Sequence, residues 1–139
     1  MATTRRASTI WNGPLLTGSG QVNMESSNVG TFPVSWPARS EEPNGKTSPE
    51  ELLAAAHATC FAMAFSNGLA KAGTPPTQLR TAAEVDFQPG VGITAIRLFV
   101  SGDVPGLDHE GFATAAESAK ENCPVSKALS AVPITLTVG

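Results

Sequence analysis

This chain has no tyrosine, only 6% aromatic residues, and just two cysteines, two tryptophans and two histidines. Charge is sparse too: 15% of residues carry one, and the formal net charge is −3. So few aromatics leave little for a base-stacking surface. The mildly acidic balance offers no electrostatic attraction to nucleic acid or anionic lipid. The start, Met-Ala-Thr-Thr-Arg-Arg-Ala-Ser-Thr-Ile, has two arginines with no apolar stretch behind them, so it does not read as a signal peptide. The longest apolar run lies within 52–65, is broken by His57 and Thr59, and falls short of the ~20 residues a membrane span needs. A soluble, cytoplasmic protein is expected. In a reducing cytosol a lasting disulfide is unusual, whereas a transient one is not.

With 139 residues, 41% of them apolar, a single domain over 1–139 with a hydrophobic core is expected. Short strands are predicted at 7–11, at 18–25 after the Gly-Pro turn at 13–14, and at 31–36. Pro33 places the third strand at an edge or a bulge. A polar loop at 38–47 carries Arg39, Glu41, Glu42 and turn residues. Ser48 then opens the clearest helix start, as N-cap, with Pro49 at N1 and Glu51 at N3 completing a capping box. The helix runs to about Ala72 and closes at Gly73, ahead of Pro75 and Pro76. Its middle, from Leu52 through Ala54, Ala58, Phe61 and Met63 to Phe65, is apolar nearly all round. Such a helix calls for burial on every side. One small domain struggles to supply that, so the helix itself points to a homodimer.

Strands at 81–88 and 93–104 follow, joined by a Pro-Gly-Val-Gly turn, and Val85 and Phe87 alternate with Glu84 and Asp86. A second helix spans 108–122 with Ala113, Ala116 and Ala119 on its packing side. Pro124 ends or kinks it, a short helix covers 125–130, and 134–138 closes the chain as a strand. The order β-β-β-α-β-β-α-β describes an α+β fold of mostly antiparallel sheet with a long central buried helix.

Two thiols, each in a distinctive setting, suggest chemistry more than scaffolding. The competing readings are two buried structural thiols or one structural disulfide. Cys60 sits mid-helix, where free cysteine commonly packs as a small hydrophobe. A reactive thiolate there needs a nearby cation, because the helix dipole fades beyond the first turn. His57, three residues earlier on the same face, is one candidate for a Cys–His pair and equally a core histidine. Arg39 lies in the loop feeding the helix, while Lys71 is expected to point away. Cys123 precedes Pro124 at the start of the last short helix, where free N–H groups stabilise a thiolate or a leaving thiol. Glu51 has the capping role, leaving Glu50 without one. Ten residues separate Glu50 from Cys60, about 15 Å along the axis, so only an arginine reaching between them contacts both. His57, Cys60 and Cys123 have no paired ligand spacing, which argues against zinc.

The segment Ser-Pro-Glu-Glu-Leu-Leu-Ala-Ala-Ala-His-Ala-Thr-Cys-Phe-Ala-Met at 48–63 closely resembles the helix signature of the OsmC/Ohr family of organic hydroperoxide reductases. Asn-Cys-Pro-Val-Ser at 122–126 resembles the family's second cysteine motif. The opening Ala-Ser-Thr-Ile-Trp-Asn-Gly and the segments Val-Pro-Gly-Leu-Asp at 104–108 and Val-Pro-Ile-Thr-Leu at 132–136 look like the OsmC branch. The resemblance implies that Cys60 is the peroxidatic cysteine and Cys123 the resolving one. It also implies that Arg39 activates the thiolate and Glu50 orients that arginine. It further implies an OsmC-like intertwined homodimer with interfacial active sites. One departure is Ser-Glu-Glu-Pro-Asn-Gly-Lys-Thr-Ser after Arg39, where relatives often carry an aromatic and an Asn before the Pro-Glu pair.

On this resemblance the Cys60 thiolate attacks the O–O bond of an organic hydroperoxide, and Arg39 stabilises charge on the peroxide oxygens. The resulting sulfenic acid condenses with Cys123, and an external dithiol, of lipoyl type by resemblance, reduces the disulfide. No metal, flavin or haem cofactor enters the cycle. The alternatives are a non-enzymatic redox-sensing or small-molecule-binding dimer of the same fold, and a Cys60–His57 thiol hydrolase.

Overall fold

The computed structural model describes all 139 residues. They divide into two compact units, Met1–Pro49 and Glu50–Gly139.

In the first unit, β1 (Ser8–Asn12), β2 (Ser19–Asn23) and β3 (Thr31–Val34) form an antiparallel sheet in the order β1-β2-β3. The tight β1–β2 connection needs Gly18, since a Cβ there would stand 2.5 Å from the carbonyl oxygens of Asn12 and Pro14. Pro33 sits on an edge strand, as its missing N–H requires. The chain then departs from the sequence expectation. Residues 36–40, read as strand end and loop, form a one-turn helix α1 (Trp36–Ser40). The cause is local: Ser35 is extended, and its hydroxyl accepts the Ala38 N–H at 3.2 Å. Pro37 in the first turn presets a helical φ. Arg39 therefore projects from a helix and not from a loop.

The second unit is organised by α2 (Pro49–Lys71), which ends before Gly73 at φ +91. Behind it lies a sheet in the order β4-β5-β6, made of β4 (Gln78–Gln88), β5 (Gly92–Asp103) and β6 (Ile134–Val138). β4 pairs antiparallel to β5 with a bulge at Asp86/Phe87, and β6 pairs parallel to β5. A parallel pair needs a long crossover. α3 (His109–Asn122) and α4 (Pro124–Ala128) supply it. The α3 N-terminus is fixed by the Asp108 carboxylate, which accepts the Gly111 N–H at 2.7 Å.

One core joins the elements of this unit. Phe61, Phe65 and Leu69 of α2 cluster with Ile96, Leu98 and Val100 of β5 and with Phe112, Ala116 and Ala119 of α3. Phe65 stacks with Phe61 at 6.0 Å and meets Phe112 edge-on at 5.0 Å. Each such large side chain, fully buried, contributes about 1.5–3 kcal/mol. Phe112, absent from the predicted packing face of α3, is its largest core residue.

The expectation that α2 is buried on every side does not hold within one chain. His57, Phe61, Phe65 and Leu69 face the core, while Ala55, Ala56, Thr59 and Met63 on the other side are exposed. Within this unit the sheet and α3 cover one face of α2. α2 is also longer and more apolar than the run counted in the sequence: by length and composition it passes as a membrane span. Its buried Glu50 and His57 and its Phe61–Phe65–Leu69 stripe make it a core helix instead.

Candidate active site

Cys60 lies one helical turn beyond His57 and next to Phe61, at the margin of the buried face of α2. That position leaves it half-buried. Cys60 lines an open groove of about 620 Å³ together with Met63, Ala64, Asn67, Ala119 and Pro124. Lys71, expected to point away, lines the same groove. It lies about 16 Å further along the helix axis.

Cys123 is fully buried. Pro124 biases the residue before it to extended backbone, and Cys123 adopts φ −61, ψ 123. α3 therefore stops, with the Cys123 N–H closing onto Ala119 O at 2.9 Å, and α4 starts one residue later. This corner turns two chain-distant cysteines into neighbours: both are free thiols, Cys60 packs against the core cluster that contains Cys123, and Cys123 is close enough to raise the Cys60 pKa.

Burial pushes the Cys60 thiol above its ordinary value of 9.0. The backbone N–H of Val125 opposes that rise, while the Cys123 thiol adds to it. Burial wins, and these groups by themselves leave Cys60 protonated at neutral pH. Cys123 caps α4 without any side-chain hydrogen bond.

His57 does not pair with Cys60. Its Nε2 meets Ser126 Oγ at 2.8 Å inside the core, and burial lowers its pKa from 6.5. Its Nδ1 is buried without a partner. A hydrogen on Nε2 is the cheaper tautomer, since it leaves a lone pair unpaired and not an N–H. An unpaired buried polar atom costs about 1–3 kcal/mol, and one neutral hydrogen bond returns about 0.5–1.5. The pair is therefore close to neutral or unfavourable for stability. With Nε2 engaged, no three His, Cys, Asp or Glu side chains cluster as metal ligands.

Of the predicted site residues, the structure brings Cys60 and Cys123 together. Glu50 is buried in the first turn of α2, in the same unit but near the far end of the helix from the groove. Arg39 belongs to the first unit, half-buried in the last turn of α1. Both residues have interaction partners. The sequence reading missed Val125 and Ser126. The signal for Val125 was present in the proline-started helix, but it was read for Cys123 alone. Ser126 carried no signal beyond its place in the Asn-Cys-Pro-Val-Ser motif.

Fold and site together define an α+β protein built around two adjacent free thiols. The family profile described as OsmC-like protein matches residues 42–137, which include Glu50, Cys60 and Cys123 and leave out Arg39. The chain is 41% identical to the protein named peroxiredoxin OsmC of Escherichia coli K12 over 124 residues, 87% of this chain and 86% of that one. It is 32% identical over 101 residues, 66% of each chain, to an organic hydroperoxide resistance protein of Xanthomonas axonopodis pv. citri. In fold it resembles an OsmC protein of Legionella pneumophila (TM-score 0.74, 21% identity, 99% of both chains). OhrB of Bacillus subtilis is similar (TM-score 0.71, 22% identity, 96% of this chain and 98% of that one). The chain belongs to the OsmC family.

Proposed function

We propose that this protein is a thiol-dependent peroxidase that reduces organic hydroperoxides to alcohols. The observation that carries the reading is a groove-lining Cys60 packed against the core cluster that contains a buried Cys123. It is supported by relatives named as a peroxiredoxin and as an organic hydroperoxide resistance protein. The Cys60 thiolate attacks one peroxide oxygen. The O–O bond breaks, Cys60 becomes a sulfenic acid, and the alkoxide takes a proton to leave as the alcohol. Cys123 then displaces hydroxide from the sulfenic sulfur, giving water and the Cys60–Cys123 disulfide. A dithiol of lipoyl type reduces it and is itself oxidised to a disulfide. No metal or organic cofactor takes part.

A thiol raised by burial needs a cation to ionise. In this reading Arg39 supplies it and stabilises the departing oxygen, and buried Glu50 holds the guanidinium by a bidentate contact. The two units act as one OsmC-like domain over 1–139. Two chains intertwine as a homodimer, which would cover the exposed side of α2 around Ala55, Ala56 and Met63. Ile10, Leu15, Leu16 and Val29 of the first unit are exposed as well. We place the protein in the cytoplasm, without nucleic-acid or membrane partners.

The raised Cys60 pKa favours one second reading, a slow redox sensor without turnover. Turnover of cumene hydroperoxide and of hydrogen peroxide with dihydrolipoamide decides between them. Rapid organic-peroxide turnover, abolished in Cys60→Ser, is expected of the peroxidase. Absence of turnover with any dithiol would leave the sensor.

A further inference from the structure

Cys60 packs against the core cluster that holds Cys123, and the two α4-start groups that act on its thiol are the Cys123 side chain and the Val125 N–H. α4 has five residues, and its N-cap makes no side-chain capping bond. One turn does not hold itself, because helix nucleation is unfavourable. Val125 and Leu129 pack against the core, but apolar packing is non-directional and sets the rotation of a single turn poorly. The directional contact is the buried His57 Nε2–Ser126 Oγ hydrogen bond at 2.8 Å. It ties α2 one turn before Cys60 to the α4 residue next to Val125. An imidazole with one nitrogen unpaired is a poor choice for packing alone, which turns attention to what its other nitrogen holds in place.

We propose that His57 and Ser126 are positioning residues: their hydrogen bond fixes α4 on α2 so that the Cys123 sulfur and the Val125 amide both meet Cys60. Its use in the catalytic cycle rests on the peroxidase reading, but its effect on the two sulfurs does not. Neither residue touches substrate. Without the tie, α4 turns or slides, the Val125 N–H leaves the sulfur, and Cys123 loses its line of approach.

The test needs no peroxide. The reduced protein is treated with the aromatic disulfide 5,5′-dithiobis(2-nitrobenzoate). Cys60 displaces one thionitrobenzoate anion and retains the other as a mixed disulfide. The Cys123 thiolate then attacks the Cys60 sulfur, forms the internal disulfide and expels the second anion, read at 412 nm. In Ser126→Ala the second release is expected to slow by about tenfold or more, since small misplacements of reacting atoms carry costs up to about 10²-fold. Ser126→Thr, which keeps the hydroxyl, should recover most of the rate, and His57→Gln should behave like Ser126→Ala. Wild-type release in a well-folded Ser126→Ala protein overturns the proposal. So does a lowered melting temperature with unchanged release, or an equal loss in the Ala and Thr variants. Because hydroperoxide turnover is measured separately, its absence would count against the peroxidase reading and leave this one standing.

Discussion

The Val125 N–H, at the start of α4, acts on the Cys60 thiol of α2 and lowers its pKa. It is the one stabilising influence on the Cys60 thiolate within its unit, set against burial and the Cys123 thiol, which both raise the pKa. The chemistry at Cys60 turns on how that opposition is tipped.

Removing the Cys123 thiol should tip it downward. Cys123→Ala is expected to lower the Cys60 pKa, because the Cys123 side chain raises it by hydrogen bond and by charge. The pH dependence of iodoacetamide alkylation reads this directly. A Cys60 pKa that stays the same or rises would contradict the arrangement.

Arg39→Ala should do the opposite in kinetics. If Arg39 ionises the thiol and stabilises the departing oxygen, its loss is expected to slow Cys60 oxidation by cumene hydroperoxide by about 10²-fold or more, the scale of removing one transition-state donor. Stopped-flow fluorescence of the tryptophans can follow it. An unchanged rate removes Arg39 from the mechanism, and Glu50 with it.

Acid should weaken the fold through His57. Its pKa is lowered by burial from 6.5, so below about pH 6.5 the unfolded chain binds a proton that the folded chain refuses. Stability from this group is complete above that pH and is lost as pH falls toward the lower folded value. Urea midpoints should therefore decline through this window in the wild type and decline less in His57→Gln. Asp86, held low by its hydrogen bonds to Arg97, acts in a separate window below its ordinary 3.8. Parallel curves for the two proteins from pH 7 downward would show that His57 carries no such linkage.

Phe65→Ala should cost about 3–5 kcal/mol, the range for emptying a buried aromatic site. Phe65 is 1% exposed and touches both Phe61 and Phe112. Chemical denaturation gives the figure, and a loss under about 1 kcal/mol would mean that the core is not centred there.

Met63, 68% exposed on α2, should lie within the dimer contact. Met63→Lys is then expected to shift sedimentation from dimer toward monomer. A monomeric wild type at micromolar concentration would end the dimer proposal.

Much of the fold was legible because its punctuation is local. Ser48, Pro49 and Gly73 bracket α2, Pro124 separates α3 from α4, and the alternation of Val85 and Phe87 marks β4. Where a short element depends on one side-chain contact, legibility fails: α1 hangs on the Ser35 hydroxyl, and loop-like composition hid it. The site was legible as residue types and not as contacts. Periodicity put Cys60 on a buried helix but could not tell a one-sided core face from burial all round. The proline-started turn at 124 promised a donor for sulfur, but only the fold of α4 against α2 decides which sulfur receives it. His57 looked like a partner for Cys60 at helical spacing, yet tertiary packing turned its Nε2 to Ser126.

The unequal burial of the two thiols has a regiochemical consequence. Cys123 is wholly enclosed, whereas Cys60 opens onto the groove. A disulfide formed between them offers an incoming nucleophile a single sulfur to strike. Any external thiol must form its mixed disulfide on Cys60 and expel Cys123 inward, as a leaving group that never meets bulk solvent. In the proposed cycle, the direction of electron entry is thus set by which cysteine the corner at Pro124 hides.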